Sequence, residues 1–279
     1  IDEDPENEEV KHAERALWEK IYKKSGQGRR TGVGITAEGD MLAALGLRYG
    51  TEEATEFSEK VHKTVALGAY RSSVEMAKER GAFRNIACLT IAPTGTTSLM
   101  TQTTSGIEPV FLPVYKRRRK VNPNDTNVHV DFVDETGDAF EEYIVFHHKF
   151  VTWMEANGYD PARRYSQEEI DELVAKSPYY KATSNDVDWL MKVKMQGRIQ
   201  KWVDHSISVT INLPNDVDED LVNRLYVEAW KSGCKGCTVY RDGSRSGVLI
   251  STKSDKEKKE DLPPCKPPTV VEVRPRILE

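Results

Sequence analysis

The chain has 279 residues, with 40 Lys+Arg against 45 Asp+Glu and a formal net charge of −5. That near-balance argues against a dedicated nucleic-acid binder, which carries a strong basic excess. No apolar stretch approaches the roughly 18–20 residues that cross a bilayer, and the acidic start has no signal-peptide h-region, so no membrane partner is expected and the cytoplasm is the expected compartment.

In chain order, apolar residues at Val10, Ala13, Ala16, Leu17 and Ile21 recur at helical spacing, predicting a helix over 10–24. Gly26–Thr31 reads as a polar turn. Gly32-Val-Gly-Ile-Thr36 reads as a packed strand, its glycines marking close backbone approach. A short helix is predicted over 41–47 and a long one over 51–80, with Phe57, Val61, Val65, Tyr70 and Met76 as buried positions and Gly81 as its stop. Ile86–Ala92 is a nearly continuous apolar run, expected as a strand buried on both faces. Helix, strand, loop, helix is the rhythm of an α/β protein.

Residues 138–157 read as helical through Ala139, Tyr143, Phe146, Phe150 and Trp153. Ser166-Gln-Glu-Glu169 is a capping-box pattern opening a helix over 166–176. A helix follows over 186–203, then an alternating strand at Ser206–Asn212. A helix over 218–230 and a short strand at Cys237–Tyr240 complete the series. Residues 251–279 lose all periodicity and gain charge and proline, predicting a solvated linker or tail.

Four segments carry possible chemistry. Pro93-Thr-Gly-Thr-Thr-Ser98 follows a buried strand directly, with small residues and four hydroxyls at Thr94, Thr96, Thr97 and Ser98. A helix starting there would turn free N–H groups toward an anion such as phosphate; an ordinary N-capped turn has the same composition. The Gly-Lys-Ser/Thr of a Walker A loop is absent. Thr103–Pro113 holds Ile107, Val110 and Phe111 among turn formers, suiting a cavity lining or a surface crossover. Lys116–Lys120 is five consecutive cations, a solvated edge or a site for phosphates or an acidic partner.

Cys234-Lys-Gly-Cys237 is a C-x-x-C, open to three readings: two unrelated thiols, a redox pair or half of a metal site. The remaining cysteines, Cys88 and Cys265, form no second pair. Four cysteines are also too few for a secreted disulfide scaffold. His147 and His148 are adjacent, so on a helix they diverge by about 100° and make poor joint ligands. No metal site is assigned.

Taken together, Gly28–Gly34, Leu89–Ser98, Thr104–Pro109, Asp204–Pro214 and Gly236–Arg245 occur in an order that resembles the catalytic large chain of ribonucleotide reductases. The likeness runs from about residue 10 to 250 and is greatest to the class II, adenosylcobalamin-dependent branch. It implies part of a ten-stranded α/β barrel built from two half-barrels. The implied activity is radical reduction of the ribose 2′-OH of ribonucleotides, started from adenosylcobalamin.

In that family the loop matching Pro93, Thr94, Gly95, Thr96 and Thr97 holds the substrate's phosphates. Class I chains carry two adjacent tyrosines where this one reads Tyr240-Arg241. Arg241 is no redox relay, which agrees with class II and leaves Tyr240 as a substrate-pocket candidate. The family's radical cysteine lies in an Asn-x-Cys-x-Glu motif. Cys88 lacks that context, so no catalytic residue is assigned.

The resemblance therefore implies the carboxy-terminal portion of the enzyme over 1–250, a reading in keeping with a chain that begins at Ile1. Its implied partners are the ribonucleotide substrate, the upstream portion of the enzyme and an external dithiol such as thioredoxin. Two alternatives stand beside it: a class I large-chain fragment, and a non-catalytic split-gene subunit that completes an upstream chain's barrel.

Overall fold

The computed structural model describes residue 3 and residues 5–121, 130–133 and 139–242. The segment expected as a tail, and the last three residues of the 236–245 motif, lie outside the described residues.

Helix α1 (Glu8–Gly28) starts where the Asn7 side chain accepts the Val10 amide, a cap worth about 1 kcal/mol. It takes in the first three residues of the segment expected as a polar turn and is capped by Arg29 in a left-handed conformation. None of its residues is buried; Leu17, Trp18, Ile21 and Tyr22 all face outward. Helix α2 (Glu38–Ala44) is the predicted short helix, begun three residues earlier.

Helix α3 (Glu52–Glu79) is capped by Thr51 and stopped by Gly81, which takes the predicted positive φ of 58°. Its buried stripe differs from the expected one. Ala54, Thr55, Ser58, His62, Ala66 and Ser73 are buried, while Phe57, Val61, Val65 and Tyr70 are half-buried and Met76 is exposed. Apart from His62 these inner side chains are small: Ala54 joins a core with Met195 and Ile199, Ala66 packs with Cys88 and Leu89, and Ser73 bonds Asn85.

The expected strands at 32–36 and 86–92 form one parallel neighbourhood. Val33 bridges Leu89, and the Thr31 and Val33 amides donate to the Ala87 and Cys88 carbonyls at 3.0 and 2.8 Å. The glycines there are sterically required: a Cβ on Gly34 would lie 2.2 Å from the Thr90 carbonyl oxygen. On the other side, His205 and Ser208 donate to the Leu89 and Ile91 carbonyls. Helix α4 (Gly95–Thr101) follows immediately.

Residues 138–157 are not one helix. Among the described residues, β1 (Val114–Lys120), β2 (Phe132–Val133) and β3 (Ala139–Phe146) form an antiparallel sheet in the order β1-β3-β2, followed by α5 (His148–Ala156). Two facts decide against helix. Phe140, Tyr143, Ile144, Val145 and Phe146 are strand formers. The register also sets Arg119 opposite Glu141, and cross-strand opposite charges stabilise a sheet.

Helix α6 (Gln167–Lys176) carries the predicted capping box, with both reciprocal bonds between Ser166 and Glu169 present. Helix α7 (Trp189–Gln200) starts three residues late, where Asp188 accepts the Met191 amide. Strand β4 (Thr210–Leu213), helix α8 (Glu219–Lys231) and strand β5 (Thr238–Arg241) close the described chain, with β4 and β5 paired in parallel. Extended segments thus run side by side from 31–34 through 86–91 and 205–213 to β5, as the α/β rhythm predicted.

The main core joins Leu42 of α2, Ala54 of α3 and Met195 and Ile199 of α7 to Ile91, Ile207 and Val209 of the extended segments and to Ile107. Burying a side chain of this size stabilises by about 1.5–3 kcal/mol. The core ends at Ile91, two residues before the Pro93–Thr97 loop.

Candidate functional site

Thr94 adopts a φ of 53°, uncommon for a β-branched residue and an indicator of local strain. Hydrogen bonds hold it there. Thr36 Oγ1 donates its only proton to the Thr104 carbonyl at 3.1 Å. At the 3.0 Å contact between the Thr36 and Thr94 hydroxyls, Thr94 is therefore the donor. Thr94 Oγ1 in turn accepts the Gly106 amide at 2.7 Å. Gly106 has a φ of 47°, and a Cβ there would meet the Ala92 carbonyl oxygen at 3.1 Å; only glycine fits this approach without strain.

The strained threonine starts α4. No side chain caps the helix, and Gly95, Thr96 and Thr97 are exposed. First-turn amides have no intrahelical acceptor and carry the positive end of the helix dipole, which suits an anion. Ser98 is buried, its Oγ bonded to the Gly95 carbonyl at 2.8 Å and in contact with Ser105 Oγ at 2.7 Å. Of the four hydroxyls counted in the sequence, Thr94 and Ser98 serve the scaffold. Thr96 and Thr97 lie at the surface beside the amides. Pro93 is exposed and has no amide to offer.

The partner loop at 104–109 is pinned from below. Glu108 accepts the Lys192 ammonium at 2.7 Å and the Thr210 amide at 2.7 Å, and Lys192 also donates to the Thr210 carbonyl at 2.6 Å. Burial lowers the Lys192 pKa, and Glu108 opposes that shift. The Tyr49 hydroxyl donates to the Ile107 carbonyl at 2.6 Å. Ile107 and Val110 are buried, so 103–113 is a packed crossover rather than a free surface loop.

Behind the strand, Asp204 accepts the Tyr70 hydroxyl at 2.6 Å and the Cys88 and Leu89 amides at 2.6 and 3.0 Å. Burial raises the Asp204 pKa, but these donors outweigh it and hold the carboxyl below its ordinary value. Sequence reasoning assigned no role to Thr36, Glu108, Lys192 or Asp204. Lys192 had one signal: it shares the buried face of α7 with Val193, Gln196 and Ile199.

The other candidates lie elsewhere. Tyr240 is half-buried in β5, opposite Asn212 of β4. Burial, then the neighbouring Cys237, pushes the Cys234 thiol up to about 11; burial also raises Cys237, opposed by Lys192. Such thiols are poor nucleophiles at neutral pH. The basic run lies in strand β1, and two of its charges meet acids within the chain: Lys116 with Glu142 at 3.7 Å and Arg119 with Glu141 at 2.8 Å. His147 precedes α5 rather than sharing a helix with its neighbour. Among the described residues, no group of three or more His, Cys, Asp or Glu is placed to hold a metal, and no helix is long and apolar enough to cross a membrane.

The sequence matches the family described as ribonucleotide reductase, barrel domain, over residues 8–87 and 82–240. The chain belongs to this family. It is 31% identical over 248 residues to the vitamin B12-dependent ribonucleoside-diphosphate reductase of Mycobacterium tuberculosis (strain CDC 1551 / Oshkosh), covering 82% of this chain and 33% of that protein. The enzyme of the same name from Thermoplasma acidophilum is 29% identical over 258 residues, covering 87% and 32%.

Among solved structures, a B12-dependent class II ribonucleotide reductase aligns with a TM-score of 0.55 at 16% identity, covering 81% of this chain and 31% of that one. The class Id ribonucleotide reductase alpha subunit of Actinobacillus ureae gives 0.56 at 16%, covering 78% and 40%. The chain thus spans about a third of the length of the curated relatives it matches, and its fold is that of part of the ribonucleotide reductase barrel.

Proposed function

We propose that this chain is the carboxy-terminal portion of the barrel of a class II, adenosylcobalamin-dependent ribonucleotide reductase, and that Pro93–Thr97 binds the substrate's phosphates. One observation carries the phosphate role. Three exposed, uncapped amides at Gly95, Thr96 and Thr97 follow a strained Thr94 whose hydroxyl is spent on holding the loop. Such a preorganised set of donors meets phosphate oxygens without reorganisation.

The substrate is a ribonucleotide, and a diphosphate by likeness to relatives named ribonucleoside-diphosphate reductases. Tyr240 lines the substrate pocket. Residues 1–250 form the barrel portion and 251–279 a linker or tail, in a cytoplasmic enzyme. The remaining partners are the upstream portion and an external dithiol such as thioredoxin.

Adenosylcobalamin would supply the initiating radical by homolysis of its cobalt–carbon bond. The donors at this loop are hydroxyls and amides, which suit phosphate and not cobalt. No residue of this chain is assigned to the cofactor, and no step is routed through it.

Gly95→Val tests the reading in the complete enzyme. A Cβ at Gly95 meets nothing within 4 Å, so the variant is expected to fold normally and to raise KM for the ribonucleotide at least tenfold. An unchanged KM removes the phosphate role. The isolated chain, given ribonucleotide, adenosylcobalamin and a dithiol, is expected to form no deoxyribonucleotide.

Arg241 bears on the class. It stands where class I large chains carry a second tyrosine, and its guanidinium donates to the Asn215 carbonyl. A requirement for a radical-bearing second subunit in place of cobalamin would favour class I. The assembly-subunit reading is supported by α1, whose Leu17, Trp18, Ile21 and Tyr22 are exposed; an apolar face of that kind suits docking.

A further inference from the structure

Asp40 lies in the first turn of α2 and is 6% exposed. Three donors from three distant segments converge on its carboxylate. The Thr104 amide reaches Oδ2 at 2.8 Å. The Tyr179 hydroxyl and His147 Nε2 reach Oδ1 at 2.9 and 2.8 Å. In return the Asp40 amide donates to Thr104 Oγ1 at 3.3 Å. A buried carboxylate is costly unless it is hydrogen-bonded in this way, so the arrangement is tightly specified. Burial, then the Asp40 charge, pushes the Tyr179 phenol far above its ordinary value, keeping it a neutral donor.

The consequences run outward from Thr104. Its carbonyl accepts the Ala37 amide at 3.0 Å and the Thr36 hydroxyl at 3.1 Å. Two residues on, the Gly106 amide fixes Thr94, and Thr94 sets the start of α4. Asp40 touches none of the amides at 95–97, yet every bond between it and them lies in one connected network.

We propose that Asp40 is the positioning residue of the phosphate loop: by clamping Thr104 it holds Gly106 where Thr94 can keep its left-handed turn. This rests on the phosphate reading of Pro93–Thr97. Asp40→Asn is nearly isosteric but uncharged: with its NH₂ toward the Thr104 amide that bond is lost, and with its oxygen there the bond loses its charge assistance, so the clamp weakens in either orientation.

The test uses the whole 279-residue chain, followed by amide NMR with cytidine diphosphate as probe. Asp40→Asn is expected to keep the slow exchange of the core Ile199 amide while speeding Thr104 and Gly106 exchange about tenfold, the scale of a bond that loses its charged partner. Cytidine diphosphate affinity should fall by a similar factor. Faster exchange with unchanged affinity, or no change in either, overturns the proposal.

If Asp40→Asn does not fold, Tyr179→Phe combined with His147→Gln removes or remodels the Oδ1 donors without touching Thr104. It is expected to loosen the same two amides and weaken binding, and a null result there overturns the proposal equally. Failure of the phosphate reading looks different: the wild-type amides at 95–97 would then not respond to the probe, whatever Asp40 does to Thr104.

Discussion

The Gly106 amide donates to Thr94 Oγ1 at 2.7 Å, joining two loops that are 12 residues apart in the chain. This bond turns a threonine with an unfavourable backbone conformation into a fixed helix start. Thr94→Val keeps the shape and loses the hydroxyl, leaving the Gly106 amide without this acceptor. The expected cost is about 1–3 kcal/mol in urea unfolding. Thr94→Gly loses the same bonds but relieves the positive φ, so it should cost less. Equal losses for the two variants would show that the strain at Thr94 is not real.

Gly95 separates ligand binding from stability. Its Cβ position is open and its φ is ordinary. Gly95→Ala should leave stability within about 0.5 kcal/mol of wild type. A larger loss in thermal unfolding would mean that the loop packs against something at this point.

The Lys192–Glu108 pair is asymmetric. Lys192 is 1% exposed and Glu108 is 23% exposed in their side chains. Removing one partner of a buried pair costs about 3–5 kcal/mol because the other is left uncompensated. Glu108→Gln strands the deeper charge, so it should cost more than Lys192→Met, which leaves a carboxylate that water can reach. Urea midpoints of the two variants check the order; the reverse order would place the desolvation on Glu108.

Glu38 lies fully buried with both carboxylate oxygens unsatisfied by the described residues. Its Oε2 is 3.9 Å from His62 Nε2. His62 Nδ1 faces the Ser58 carbonyl at 2.9 Å; a carbonyl only accepts, so Nδ1 carries a proton. Burial raises the Glu38 pKa, opposed by His62. A raised folded pKa contributes stability below the unfolded value of 4.5, and that contribution is lost as pH rises through the folded value. Glu38→Gln should therefore remove a stability loss that wild type shows above pH 4.5. Parallel stability curves for the two proteins would show that Glu38 ionises without cost.

How much of this was legible in the sequence follows from the range of the interactions. The capping box at Ser166, the Gly81 stop and the close approach at Gly32 and Gly34 are local or steric, and the residues announce them. The strand at Ala139–Phe146 was read as helix because its apolar spacing fits both periods. What decides it is pairing with β1, whose partner residues lie 20 to 32 positions away. The Pro93–Thr97 loop was visible as a run of small polar residues after an apolar strand. The inward commitment of Thr94 and Ser98 was not, because it depends on Thr36, Ser105 and Gly106 arriving from other segments. The buried polar residues Asp40, Glu38 and Lys192 sit at helix positions where composition alone predicts solvent.

The most direct test of the account is an amide NMR titration of the wild-type chain with cytidine diphosphate and, separately, with cytidine. Shifts are expected at Gly95, Thr96 and Thr97 with the diphosphate and none with the nucleoside. Equal responses to both, or no response at these three amides, would contradict it.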